Sequence, residues 1–179
     1  MRVITGTAGG RKLKSPDGDA IRPTTDHVKQ AMFNILQFDL EGRRVLDLFG
    51  GTGQLGIEAL SRGAREAVFT DSSRQSIALI RENLKRCNLK GTVIQTDVLR
   101  YLSTGERFDV IFIDPPYDAG LYGEVLKRIN AVDNLTEGGI IVCEARASGE
   151  LPEIQAPYRK LRERKYGSVK ICLYTRDAI

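Results

Sequence analysis

Short apolar runs alternate with stretches of helical periodicity along most of this 179-residue sequence. The runs read VLDLF at 45–49, AVFT at 67–70, GTVIQTDV at 91–98, RFDVIFI at 107–113 and GIIVC at 139–143. Helical spacing between such runs is typical of crossover helices, so the pattern predicts an α/β fold with a mostly parallel sheet covered on both faces. Residues 158–175 instead alternate around Tyr166-Gly167, which predicts an antiparallel hairpin at one edge.

The segment before the first strand has a different character. It begins with an arm rich in Gly, Thr and basic residues, which is too short to be a domain. A helix follows, and Thr24, Thr25 or Asp26 supplies its cap oxygen. We therefore expect one domain over the whole chain, 1–179, with the arm and capped helix before residue 45 and the Rossmann-like core in 45–179.

Charge is unevenly distributed, although the net charge is only +4. Residues 1–44 hold 8 Lys and Arg against 5 Asp and Glu, and residues 151–179 hold 7 against 3. The middle, 45–150, holds 12 against 15. Basic ends around a slightly acidic centre suit a phosphate backbone laid across the domain, and ordinary solvated surface charge accounts for the same distribution.

Cysteine and histidine content argues against a metal site. The 3 cysteines lie far apart without a CxxC pair, and the chain has 1 histidine, so we expect no bound metal. The first residues contain no apolar run typical of a signal peptide, and no stretch approaches the ~20 apolar residues of a membrane span. We expect a cytoplasmic protein with reduced thiols and no membrane contact, and a monomer as the default.

A glycine-rich sequence stands at the first strand-to-helix turn. Gly51-Thr52-Gly53-Gln54-Leu55-Gly56 is a GxGxxG, and Asp71 follows 20 residues after Gly51 at the end of the next strand. Glycines let the backbone turn sharply and approach a ligand, and an acid at the neighbouring strand tip can accept both ribose hydroxyls. The pattern predicts a nucleoside site, and NAD is one ligand that it fits.

Two further acids favour a different nucleoside. Asp47 lies inside the first strand, where it can attract an amino-acid ammonium group directly or through water. Asp97 follows the apolar pair Val93-Ile94 and can accept from an adenine amine. Together with Asp71 these acids match the ammonium, the ribose and the adenine of S-adenosylmethionine. Each acid taken alone is as consistent with a turn or cap residue.

The tetrapeptide Asp114-Pro115-Pro116-Tyr117 ends an apolar strand with a stiff corner. Proline has no N–H and keeps the preceding residue extended, so the corner offers carbonyls and a carboxylate as acceptors. Acceptors on both hydrogens of an exocyclic amine direct the nitrogen lone pair at an electrophile and disperse the developing positive charge. Tyr117 can stack on the base. The motif therefore predicts methylation of a planar base on its amino group.

Two stretches resemble a known family. VLDLFGGTGQLGIEAL followed by DPPY resembles the class I S-adenosylmethionine-dependent methyltransferases of exocyclic amines, and the tetrapeptide is their most specific motif. RVITGTAGGRKL and RPTTDHVKQAMFNIL are similar to the RsmD family, which methylates N2 of one guanine in small-subunit ribosomal RNA. The resemblance runs from Arg2 to about residue 146. It implies a class I methyltransferase fold with a seven-stranded, mostly parallel sheet.

The resemblance also implies the roles of individual residues. The amine-activating residues are Asp114, Pro115, Pro116 and Tyr117. The S-adenosylmethionine site comprises Asp47, Phe49, Gly50, Gly51, Gly53, Asp71, Ser72, Asp97 and Val98, with Thr24 and Thr25 at the methionine end.

RNA is the expected partner, within a partly or fully assembled small subunit. The expected phosphate contacts on the arm are Arg2, Arg11, Lys12, Lys14 and Arg22. A basic stretch near the C-terminus extends that track, with Arg159, Lys160, Arg162, Arg164 and Lys165. A target base in structured RNA has to be splayed out of its stack to reach Asp114.

Several alternatives stay open. A DNA or RNA adenine-N6 methyltransferase uses the same chemistry, because Asp at the head of the tetrapeptide does not fix the base. A protein-glutamine methyltransferase shares the Pro-Pro-Tyr logic but usually has Asn there. An NAD-binding oxidoreductase needs a proton relay, and His27 is the single histidine. A non-catalytic RNA-binding protein would not need the combination of Asp47, Asp71, Asp97 and DPPY.

Overall fold

Seven strands form one mixed sheet in the computed structural model, which describes residues 1–16, 25–116 and 119–178. The strands are β1 (Arg44–Asp47), β2 (Glu66–Asp71), β3 (Thr92–Gln95), β4 (Phe108–Ile113), β5 (Leu135–Arg146), β6 (Tyr158–Tyr166) and β7 (Val169–Arg176). Their order across the sheet is β3-β2-β1-β4-β5-β7-β6. The first five are mutually parallel, while β7 runs antiparallel to both β5 and β6. The predicted sheet and closing hairpin are confirmed.

Helices cover both faces of this sheet in the described part of the chain. They are α1 (Asp26–Ile35), α2 (Gln54–Ser61), α3 (Arg74–Cys87), α4 (Val98–Leu102) and α5 (Tyr122–Val132). Helices α1, α2 and α3 pack on the face that carries Val45, Phe69 and Phe112. Helices α4 and α5 pack on the face that carries Leu46 and Ile111. Because successive strand residues point to opposite faces, each central strand contributes to both layers of the core.

Two strands differ most from their predicted bounds. The strand predicted at 91–98 ends at Gln95, because the Asp97 carboxylate accepts the N–H groups of Leu99 and Arg100 and begins α4, a helix absent from the sequence prediction. The strand predicted at 139–143 is longer and has 12 residues. It lies between β4 and β7, so pairing on both edges extends it.

Helix α1 begins at Asp26, directly after one of the predicted cap residues. The hydroxyl of Thr25 accepts the N–H of Val28 at 3.3 Å, so Thr25 is the N-cap residue among the three candidates. Thr24 lies outside the described residues. In the middle of α1, Met32 and Phe33 are buried, and the Phe33 ring lies 5.5 Å from that of Phe112. The helix is therefore anchored on the strand that leads into the tetrapeptide.

The N-terminal arm packs against helices α1 and α2. Its two halves meet at an antiparallel bridge between Arg2 and Lys12, and the side chain of Val3 is fully buried. The backbone N–H groups of Ile4 and Thr5 donate to the Glu58 carboxylate at 2.8 and 3.0 Å. The arm is thus held by a side chain of α2 that is distant in sequence.

Glu58 also anchors two cations in the interior. Its carboxylate lies 3.7 Å from the Lys29 ammonium and 2.9 Å from the Arg62 guanidinium, and the Glu58 and Lys29 side chains are fully buried. Burial lowers the pKa of Lys29, and the nearby Glu58 charge opposes that shift. Lys29 in turn donates to the carbonyl of Arg2. One ionic cluster therefore joins α1, α2 and the arm.

The glycines of two helices give a first prediction. A Cβ at Gly56, in α2, would lie 2.3 Å from the buried Phe69 ring, whereas one at Gly123, in α5, has no neighbour within 4 Å. Gly56→Ala should therefore lower the free energy of unfolding by about 1–3 kcal/mol through overpacking. Gly123→Ala should raise it by up to about 1 kcal/mol, because Ala favours helix. Urea denaturation measures both; equal effects would contradict the tight α2–β2 contact.

Candidate active site

The predicted site residues gather where the order of the strands reverses. From β1 the chain proceeds to β2 and β3 on one side, and it then crosses to β4 on the other side of β1. In such sheets the helices diverge at this point and leave a crevice at the carboxyl ends of the strands. Asp47 pairs in register with Phe112, and Asp114 follows two residues later. The two acids therefore lie at the same edge of adjacent strands.

The glycine-rich turn connects β1 to α2. Gly51 and Gly53 have φ angles of 56° and 80°, in the left-handed region that glycine adopts at low cost. The Gly53 N–H closes the turn on the Gly50 carbonyl at 2.7 Å. A Cβ at Gly50 would lie 2.7 Å from Ile80, on α3. The turn is thus packed on α3, and Gly51 is its half-buried residue.

Asp47 is a buried acid beneath this turn. It is 2% exposed, and its Oδ2 accepts the N–H of Gly56 at 3.0 Å. Burial raises the pKa of Asp47 from 3.8 to about 7; the charge of Asp71 adds to the shift, and the Gly56 hydrogen bond opposes it. A carboxyl in this position favours a cation nearby, because a positive charge offsets the cost of ionisation.

Asp71 holds the turn from the neighbouring strand. Its Oδ2 accepts the Gly51 N–H at 2.9 Å, and its Oδ1 accepts the Ser73 N–H at 2.8 Å. A carboxylate has about four acceptor positions, so each oxygen can still accept a hydroxyl. Ser73 caps α3, and the predicted site residue Ser72 is exposed beside it.

Asp97 lies beyond the carboxyl end of β3, the next strand along the edge. Gln95 pairs in register with Asp71, and Asp97 follows two residues later. Its Oδ1 accepts the N–H groups of both Leu99 and Arg100 at 3.0 Å. Asp97 is exposed, and its Oδ2 accepts neither of these two hydrogen bonds. The structure thus lines up acids at the ends of β1, β2 and β3.

The proline corner follows β4 directly. Asp114 is half-buried, Pro115 is buried and Pro116 is exposed. Tyr117 lies outside the described residues. The following helix is tied down at its start, because the Tyr122 hydroxyl donates to the carbonyl of Glu144 on β5. The corner therefore lies between two fixed elements beside Asp47.

The remaining predicted cofactor residues differ in their exposure. Phe49 is half-buried, Val98 is buried and Thr25 is exposed at the start of α1.

The basic residues of the arm are spread over its surface. Arg2, Arg11, Lys12 and Lys14 are exposed, and Arg22 lies outside the described residues. Arg11 donates to the Arg86 carbonyl at 2.9 Å, close to the C-terminal end of α3. Arg11 therefore lies at the end of α3 opposite to its first residue, Arg74.

One residue of the site, Asn83, is not among those that the sequence predicts. Its side chain is fully buried on α3 and donates to the Thr52 carbonyl, in the glycine turn, at 2.9 Å. The same amide donates to the Lys14 carbonyl at 3.0 Å and accepts the Lys14 N–H at 2.7 Å. The sequence does carry a signal for it, because Asn83 interrupts the apolar stripe of α3 between Ile80 and Leu84. Asn83 joins the arm to the turn.

The described residues offer neither a metal cluster nor a membrane span. In residues 1–16, 25–116 and 119–178 no group of three or more His, Cys, Asp or Glu side chains is placed to hold a metal ion. Over the same residues, none of the helices has the length and apolar character needed to cross a membrane.

Comparisons with known proteins define the class and then the family. Residues 1–175 match the family described as Conserved hypothetical protein 95. YlbH of Bacillus subtilis is 39% identical over 180 residues, covering 97% of this chain and 98% of YlbH. Ribosomal RNA small subunit methyltransferase D of Escherichia coli K12 is 33% identical over 180 residues, and the match covers 99% of this chain and 91% of that protein. The solved structure of yhhF from Escherichia coli has a TM-score of 0.88 and 34% identity, and the match covers 100% of this chain and 99% of that one.

These similarities identify the fold as that of the class I methyltransferases, as predicted. The chain belongs to the Conserved hypothetical protein 95 family, together with ribosomal RNA small subunit methyltransferase D, so the family resemblance is confirmed. The finding favours methyl transfer over the NAD-binding alternative.

Asp47 gives a pH prediction. Its pKa is about 7 in the folded protein and close to 3.8 when unfolded, so the neutral form is the one that folding favours. The stability that this form contributes is complete below pH ~4 and is lost as pH rises through ~7, with a slope of at most about 1.4 kcal/mol per pH unit. Asp47→Asn cannot ionise and should escape this loss.

Urea denaturation of both proteins, without cofactor, checks this between pH 4 and pH 8. The wild-type free energy of unfolding, relative to that of Asp47→Asn, should fall between pH 4 and pH ~7 and level off above it. A constant difference would mean that Asp47 ionises at an ordinary pKa.

Proposed function

We propose that this protein transfers a methyl group from S-adenosylmethionine to the exocyclic N2 amine of a guanine in small-subunit ribosomal RNA. The observation that carries the proposal is the position of Asp47 and Asp114 at one edge of adjacent strands, with the glycine turn beside them. Membership of the family supports methyl transfer to ribosomal RNA. The choice of guanine N2 follows from the resemblance in the arm and first helix.

The residues fit three polar groups of this cofactor, which are the ammonium group, the ribose hydroxyls and the adenine amine. Asp47 is buried with a raised pKa, and a cationic ammonium group would stabilise its charged form. Asp71 would accept ribose hydroxyls, and Asp97 would accept the adenine amine. Thr25 caps α1 and would border the methionine end. When bound, S-adenosylmethionine supplies a methyl group on a positively charged sulfur.

The proline corner would prepare the amine. The lone pair of an exocyclic amine is delocalised into the base ring, so the free nitrogen is a poor nucleophile. The Asp114 carboxylate and a carbonyl of the corner would accept its two N–H groups and turn the lone pair toward the methyl carbon. Transfer would form the N–C bond as the C–S bond broke, and one N–H proton would leave for solvent. The acceptors would also disperse the positive charge on nitrogen, which is electrostatic preorganisation.

Asp114 variants test this role. Asp114→Ala should lower kcat for methyl transfer to small-subunit RNA by at least about 100-fold, because preorganised acceptors contribute on this scale. Asp114→Asn keeps one carbonyl acceptor and should retain more activity than Asp114→Ala. Calorimetric titration with S-adenosylmethionine is the control, since its affinity should stay within about threefold in both variants.

The same two measurements separate the possible failures. Equal activity of Asp114→Ala and the wild type would remove the corner from the chemistry. Joint loss of cofactor affinity and thermal stability would show that Asp114 is a structural residue.

Asp71 gives a prediction for the ribose. Hydrogen bonds to a charged group contribute about 1.5–3 kcal/mol, so Asp71→Ala should weaken S-adenosylhomocysteine binding by at least about tenfold. The wild type should discriminate against a 2′-deoxy analogue, and Asp71→Ala should lose that discrimination. Discrimination that survives the substitution would place the ribose elsewhere, even if turn disruption lowers the overall affinity.

A further inference from the structure

Strand β6 forms one edge of the sheet and carries most of the basic residues near the C-terminus. Its five cations are Arg159, Lys160, Arg162, Arg164 and Lys165. In the sequence these five residues form one basic stretch, and nothing in the stretch distinguishes one cation from another. The pairing of β6 with β7 separates them, because directly opposite residues of an antiparallel pair project on the same face.

A bulge at residue 161 sets which cations share a face. The register of β6 shifts between Lys160 and Arg162. Beyond the shift, Arg162 pairs with Leu173 and Arg164 pairs with Ile171. Leu173 and Ile171 belong to the core on the side of α1, α2 and α3, so both arginines project on that side. An unbroken alternation would have placed Arg162 and Arg164 on the opposite face from Arg159.

Salt bridges also distinguish two of the cations from Arg162 and Arg164. Arg159 lies 2.8 Å from Asp177, and Lys160 lies 3.0 Å from Glu153. Over residues 1–16, 25–116 and 119–178, neither Arg162 nor Arg164 is in a salt bridge, and both are exposed. Two exposed arginines, at backbone positions about 6.8 Å apart along the strand, are therefore available to an anionic partner.

This face reaches the active-site edge of the sheet. Tyr166, at the end of β6, pairs with Val169, which pairs with Arg146 at the carboxyl end of β5. The ring of Tyr166 lies 6.4 Å from that of His27 at the start of α1. Asp26, beside His27, pairs with Arg2 of the arm at 3.5 Å. Three strand spacings separate β6 from β4, roughly 14 Å.

We propose that Arg162 and Arg164 form a second RNA-binding surface, which holds backbone phosphates of the substrate RNA while the target base reaches Asp114. The inference rests on the proposed function. The partner that fits this surface is a phosphodiester backbone, because it is anionic and because arginine binds phosphate with two parallel hydrogen bonds. The surface continues through the start of α1 to Arg2, so RNA would cross the domain beside the crevice.

A charge-matched pair of double variants tests this surface. Arg162→Ala/Arg164→Ala removes the two arginines of this face that are in no salt bridge within the described part of the chain, and Arg159→Ala/Lys160→Ala removes two paired cations from the same strand. For naked small-subunit RNA, the first variant should reduce the slope of log affinity against log salt by about 1.4–1.8, equivalent to two phosphate contacts. The second should change it by less than about 0.5. Methyl transfer should show a raised KM for RNA and an unchanged kcat.

A third variant and a second substrate distinguish phosphate binding from a structural effect and from a protein contact. Arg162→Lys/Arg164→Lys keeps both charges and should restore the salt slope. Equal losses of RNA affinity in the two alanine variants, or no loss in Arg162→Ala/Arg164→Ala, would contradict the proposed surface. Methylation of RNA by the wild type in the same experiments would still support the proposed function. A loss seen only with assembled subunits would overturn it in favour of a ribosomal protein contact. A wild type that neither binds nor methylates ribosomal RNA, whether free or within assembled subunits, would remove both proposals.

Discussion

The carboxyl group of Asp47 is placed inside the sheet at the point where the strand order reverses, and much of the site depends on it. Its one described hydrogen bond, from Gly56, ties the end of β1 to α2 across the glycine turn. Asp71 ties the same turn to β2 through Gly51. Asp47 and Asp71 thus each hold the backbone around the glycine turn by a hydrogen bond. Burial leaves the inner acid with a pKa of about 7, so it favours a cationic ligand.

The N-terminal arm completes the surroundings of this turn. Glu58 binds the backbone of the arm on one side, and Asn83 binds both the arm and the turn on the other. Both side chains are buried, so losing either partner would leave polar groups unsatisfied in the interior. Asn83 therefore contacts both the arm that is proposed to bind RNA and the turn that is proposed to hold the cofactor.

Several features can be predicted because their signals are local. The spacing of Gly51, Gly56 and Asp71 follows from a strand–turn–helix unit, and the Thr25 cap precedes an apolar stripe. Helix α4 escapes prediction because Asp97 has the sequence context of a strand end, and its capping bonds need a defined backbone. Glu58 binds residues more than fifty positions away, which no local pattern encodes. The bulge at residue 161 depends on pairing with β7, so the sequence does not separate Arg162 and Arg164 from Lys160.

Identifying the product of methyl transfer tests the proposed activity most directly. Radiolabelled S-adenosylmethionine would be incubated with the protein and with total RNA, small ribosomal subunits, duplex DNA and protein from cells lacking this gene. The modified nucleosides would then be separated after digestion. We expect label in N2-methylguanosine from small-subunit RNA. Label in N6-methyladenosine, in DNA or in protein would contradict the proposed substrate, and no label in any fraction would contradict the proposed activity.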